Sequence, residues 1–187
     1  MAASGAAETV ARGHVLLAVC CALYLAWWAL FFRPNTHIEG PLYWFGVALI
    51  LGAAVCGVIG CFSAGGALSQ LPGAEGFSPL PYLVAGAVAY VVLAAVTSKL
   101  LDRQITTELL LIVAWCAFEC AVVGALSAGV SSRQRAVALY VTVGVLVVAS
   151  LVCYVLYYRL GPWPAFFDGT VPLVSVGIAA VVIASSL

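Results

Sequence analysis

Glu119 stands near the middle of an apolar run, in the stretch Ala114-Trp115-Cys116-Ala117-Phe118-Glu119-Cys120-Ala121. A carboxyl group at such depth in hydrocarbon costs a few kcal/mol, so it must face a bundle interior, a cavity or a partner. No lysine or arginine stands at comparable depth in any apolar run of the chain. A protonatable group placed there is a natural site for a proton, a cation or a polar part of a substrate. A purely structural role needs a hydrogen-bond partner on a neighbouring helix, for which Tyr90, Thr142 and Ser150 are the candidates. Trp115 lies one helical turn before Glu119, on the same face.

Glu108 precedes Glu119 by eleven residues. Eleven steps of about 100° return a helix to nearly the same face, and the helical rise puts the two carboxyls roughly 16 Å apart along the axis. That geometry suits a path with a mouth and a midpoint. It does not suit paired acid/base catalysis, in which the carboxyls sit about 5–10 Å apart. Glu108 also has a structural explanation, because an acid in the first helical turn complements the helix dipole and Arg103 or Lys99 could pair with it.

A second group of polar residues lies between apolar runs: Arg33, His37, Glu39, Arg159 and Asp168. If the loops meet at one membrane face, the two arginines could hold a phosphate and the acids could supply a base or ligate a metal. That would be a lipid-modifying enzyme with an interfacial site. Seven cysteines, Cys20, Cys21, Cys56, Cys61, Cys116, Cys120 and Cys153, all fall inside apolar runs. Their odd number and position argue against a disulfide framework and for packing. No Cys/His spacing specifies a metal site. There is no Walker lysine, HExxH, GxSxG or retinal-type lysine, and no cofactor is specified. His14 and His37 sit at the ends of the expected spans, which disfavours a bis-histidine haem site inside a bundle.

These residues are embedded in a chain of 187 residues that is 65% hydrophobic and only 7% charged, with seven basic and seven acidic side chains. Soluble domains are about 45–50% apolar and about 25% charged, and a single domain of this size could not bury so much apolar surface. A soluble globular protein, a disordered chain and a nucleic-acid binder are thereby excluded. A bilayer core about 30 Å thick takes roughly 20 apolar residues per helix. Six runs meet that length, at about 15–33, 43–64, 80–101, 105–129, 136–159 and 170–187. They are continuous in Leu, Val and Ala, with no strand-like alternation, so the expected fold is an all-α bundle of six transmembrane helices in a single domain. The first run is read as a retained span: it is long for a signal peptide and is followed by Arg33-Pro34. Proline and glycine punctuate the intervals at Pro34, Gly40-Pro41, Pro72-Gly73, Gly76, Pro79, Pro81, Gly161-Pro162, Pro164 and Gly169. Asp102-Arg103-Gln104 makes a very short turn, with Thr106 or Thr107 placed to cap the next helix.

The sequence around Phe31-Phe32-Arg33-Pro34 and Glu39-Gly40-Pro41-Leu42 recurs loosely at Tyr157-Tyr158-Arg159, Asp168-Gly169 and Pro172-Leu173. This suggests three hairpins of like orientation, each with a base leaving one helix and an acid starting the next. Basic residues divide almost evenly between the two sides. The Ser131-Ser132-Arg133-Gln134-Arg135 loop reads as cytoplasmic, which places both termini inside. An aromatic belt, from Tyr24, Trp27 and Trp28 to Tyr158, Trp163 and Phe167, gathers on the opposite side. Gly52, Cys56, Gly60 and Ala64 form a ladder of small residues, and Ala18, Ala22 and Ala26 a second row, both suited to close helix packing. In length, helix number and that alanine row, the chain resembles the substrate-binding subunits of energy-coupling-factor transporters. The resemblance implies a partner subunit docked through the row. The expected function is binding or translocation of a small solute or ion near Glu119, with Glu108, Trp115 and Tyr90 contributing. The expected partners are the lipid bilayer, that ligand, and a partner subunit or a second copy. A non-catalytic docking subunit is the third alternative.

Overall fold

A computed structural model describes residues 2–71, 74–100, 107–129 and 133–187. It contains six helices: α1 (Ala2–Phe31), α2 (Pro41–Leu68), α3 (Leu80–Leu100), α4 (Thr107–Gly129), α5 (Arg133–Tyr157) and α6 (Pro162–Ser186). No strand occurs among the described residues. Gly5–Phe31 of α1, together with α2, α5 and α6, is long and apolar enough to cross a membrane; Leu80–Val96 and Trp115–Leu126 are shorter apolar stretches. The expected turn at Asp102-Arg103-Gln104, the cap at Thr106, Pro72-Gly73 and Ser131-Ser132 lie outside the described residues.

Two helix boundaries differ from the expectation. α1 starts thirteen residues earlier than the first apolar run, because the alanine-rich stretch from Ala2 to Ala11 is itself a strong helix former. The Arg12 guanidinium reaches Glu8 at 2.6 Å, an i,i+4 pair on that extension. α6 starts at Pro162 instead of near residue 170, which puts Pro164, Asp168, Gly169 and Pro172 inside the helix. Proline costs nothing at a first turn, whose N–H groups have no intrahelical partner. Asp168-Gly169 therefore does not match Glu39-Gly40, which precede α2. The two loops are not structural repeats, although α1 packs on α2, α3 on α4 and α5 on α6. Gly40 adopts φ 62° immediately before Pro41, a backbone shape that a side chain would strain.

Around the bundle the neighbour order is α2, α1, α6, α5, α4, α3, with thinner contacts from α4 across to α6 and α2. Among the described residues α2 and α3, the two ends of this order, make no close backbone approach. The ring is open along that seam. Leu71 and Ala74 from the connection between them, with Leu68 at the end of α2, are buried with Val10, Phe118, Val122 and Leu126. Leu71, Ala74 and Pro79 of the interval between α2 and α3 are thus buried, while Gln70, Glu75, Gly76 and Ser78 are exposed.

The outer faces are apolar. Leu51, Val91 and Val145 are 60%, 64% and 60% exposed. Rows of such residues on several helices have no counterpart on a water-soluble surface.

α1 and α2 bring their backbones close together at Gly13. A Cβ there would lie 2.8 Å from both the Ala64 Cβ and the Gly60 carbonyl oxygen, and a Cβ on Gly60 would lie 2.8 Å from the Gly13 carbonyl. The obstacles are backbone and Cβ atoms that cannot swing aside. Gly60→Ala is expected to destabilise the protein by about 1–3 kcal/mol, read as a lower unfolding temperature in detergent. Gly66→Ala, where a Cβ meets nothing within 4 Å, should leave that temperature unchanged.

Candidate functional site

The Gly13 crossing sets the position of its neighbour, His14. Both His14 and Glu119 are completely buried. His14 Nε2 lies 3.1 Å from Glu119 Oε2, and His14 Nδ1 lies 2.9 Å from the Val10 carbonyl oxygen. A carbonyl only accepts, so Nδ1–H donates to Val10. Nε2 and Oε2 then share a single proton. With the proton on oxygen both groups are neutral; with the proton on nitrogen they form an ion pair. In either arrangement the pair carries no net charge. α1 and α4 make no close backbone approach among the described residues, so this bond reaches across a gap between helices.

The pairing corrects the expected partners of Glu119. The Thr142 hydroxyl donates to the Ala138 carbonyl and that of Ser150 to Leu146, each within its own helix. The side chains of Tyr90 and Glu108 lie outside the described residues. His14 was assigned to a span end because the first apolar run begins at Val15, whereas in α1 it stands near the middle of a 30-residue helix. The missed signal was the helix-forming composition of Ala2–Ala11, which moves His14 inward.

Glu119 Oε1 and Trp115 Nε1 are both buried, and among the described residues neither has a hydrogen-bond partner. One is an acceptor and the other a donor, one helical turn apart on the same face of α4. Trp115 also borders a cavity of about 270 Å³, enclosed by Tyr24 of α1, Ala53 and Cys61 of α2, Leu83 of α3, Phe118 of α4 and Val176 of α6. The cavity walls are almost wholly apolar, and one side is open. Cys20, Cys21 and Cys61 contribute thiols to the walls, and all the cysteines are free.

No family model, curated protein or solved structure matches the chain.

The five loop residues have separate surroundings among the described contacts. The Arg33 guanidinium lies over the Trp163 ring, 5.9 Å from its centroid, a cation–π contact that ties the end of α1 to the start of α6. His37, Glu39 and Arg159 are exposed. Asp168 lies on α6, within hydrogen-bond reach of the Cys153 thiol, and its Oδ2 has no partner among the described residues. No salt bridge between described residues joins any two of the five, and no three described His, Cys, Asp or Glu side chains are grouped to hold a metal ion. In the alanine row, Ala22 and Ala26 are exposed while Ala18 packs against the core.

Proposed function

We propose that the chain is an integral membrane protein of six helices that binds a small molecule in the cavity beside Trp115, one turn from the Glu119 carboxyl. Lipid as the solvent accounts for the apolar outer faces, and the four long apolar helices support the reading. An even number of spans puts both termini on one side, and the Ser131–Arg135 loop favours the cytoplasm for that side.

The cavity itself carries the functional reading. Its volume of about 270 Å³ is nearly twice the roughly 150 Å³ that holds one benzene ring. Apolar walls offer a bare ion no ligands, so a molecule is favoured over a metal or alkali cation. For the interfacial enzyme the supporting contact is Arg33 over Trp163, and no salt bridge between described residues joins its candidates.

Ala53 is 1% exposed and lines the cavity. The detergent-purified protein should retain a small molecule in near-stoichiometric amount, identified by solvent extraction and mass spectrometry. Ala53→Leu, which adds three carbons to the cavity wall, should reduce the retained amount at least five-fold. Equal retention by Ala53→Leu, or no retained molecule, would overturn the proposal.

A further inference from the structure

We infer that the ligand is a lipophilic molecule dissolved in the bilayer, and that it reaches the cavity sideways, through the seam between α2 and α3. This rests on the reading of the cavity as a binding site and adds the chemical class of the ligand and its route.

The seam follows from the neighbour order. Every other consecutive pair around the ring has close backbone approaches, whereas α2 and α3 show none among the described residues; Pro79, just before α3, sits against Gly65, where a Cβ would lie 2.7 Å from the Pro79 ring. Yet both helices line the same cavity, α2 through Ala53, Val58 and Cys61 and α3 through Leu83. The cavity is partly open, the backbones of the two helices stand apart beside it among the described residues, and Val58 at this border is 55% exposed.

The far end is shut. Leu68 at the end of α2 and Leu71 and Ala74 from the α2–α3 connection pack with Val10, Phe118 and Val122, and the His14–Glu119 pair is sealed at 0% exposure. A polar solute arriving from that end would have to cross this core. A lipophile already in the membrane does not cross it. Its transfer from lipid to cavity exposes no polar group, and the walls ask for none.

The test is photolabelling in lipid nanodiscs with 3-phenyl-3-(trifluoromethyl)diazirine, which partitions into lipid, and with a sulfonated analogue confined to water. Adducts are mapped by mass spectrometry. The apolar probe should label Tyr24 and Trp115 inside the cavity and Val145 on the outer face. The sulfonated probe should label the interior pair at least ten-fold less. Val58→Trp, which adds bulk at the border, should lower the Trp115 adduct at least five-fold and leave the Val145 adduct unchanged; Leu83→Trp should act in the same way from the other side. Interior labelling by the sulfonated probe, no interior labelling by either probe, or no effect of either tryptophan would overturn the inference. If Ala53→Leu loses a retained molecule while the seam variants change nothing, the binding site stands and the route fails. If the seam variants behave as expected and no molecule is retained, the route stands and the binding site fails.

Discussion

Glu119→Leu should destabilise the protein by about 2–4 kcal/mol, because it leaves the fully buried Nε2 of His14 with no partner. His14→Leu strands Oε2 in the same way, and Oε1 already lacks a partner among the described residues. The diagnostic variant is the double one. With both polar groups gone, nothing is left unsatisfied at this position, so His14→Leu with Glu119→Leu should be more stable than either single variant. Glu119→Gln should fall close to the original protein, since its amide N–H can donate to Nε2 while Nδ1 keeps its bond to Val10. Unfolding temperatures in one detergent measure all four. Additive losses in the two single variants would show that the contact at 3.1 Å contributes no coupling.

The second large effect is expected at Trp28, which is 1% exposed and locks α1 onto α6. Its ring stacks on Phe32 with centroids 4.1 Å apart, and its Nε1–H donates to the Phe166 carbonyl at 3.2 Å. The ring lies on Gly169: a Cβ there would come within 2.4 Å of Trp28 Cζ2. Trp28→Ala should cost about 3–5 kcal/mol through the cavity it leaves. Gly169→Ala should cost about 1–3 kcal/mol through overlap with the ring. Trp28→Phe loses the hydrogen bond but frees space, so it should partly rescue Gly169→Ala. The three variants and the combination, compared by thermal unfolding, separate the steric contribution from the polar one.

Much of the architecture was readable from hydropathy, and the exceptions have physical causes. α2 to α5 lie within a few residues of their apolar runs, since Leu, Val and Ile mark both the helix and its depth. The start of α1 escaped because alanine, which dominates Ala2–Ala11, forms helix strongly without registering as a span. The start of α6 escaped because Pro164, Gly169 and Pro172 read as breakers. The first two lie near the helix start and under the Trp28 ring, and in lipid a proline inside a helix is tolerated when neighbours satisfy the freed backbone. The burial of Leu71 and Ala74 follows from tertiary packing, which no local pattern encodes. At the site, Glu119 announced itself by being an acid among apolar neighbours. His14 did not, because its depth depends on where α1 begins. The cavity is defined by five helices together, and no single segment specifies it.

His14 and Glu119 are separated by 105 residues of chain. At ribosomal speeds of roughly 5–20 residues per second, about 5–20 s pass between synthesis of the first and of the second. During that interval the imidazole waits without its permanent neighbour, close to the front of the nascent chain. The first helix can pack against the second as soon as that one is made, but its imidazole gains its buried acid only when the fourth is delivered.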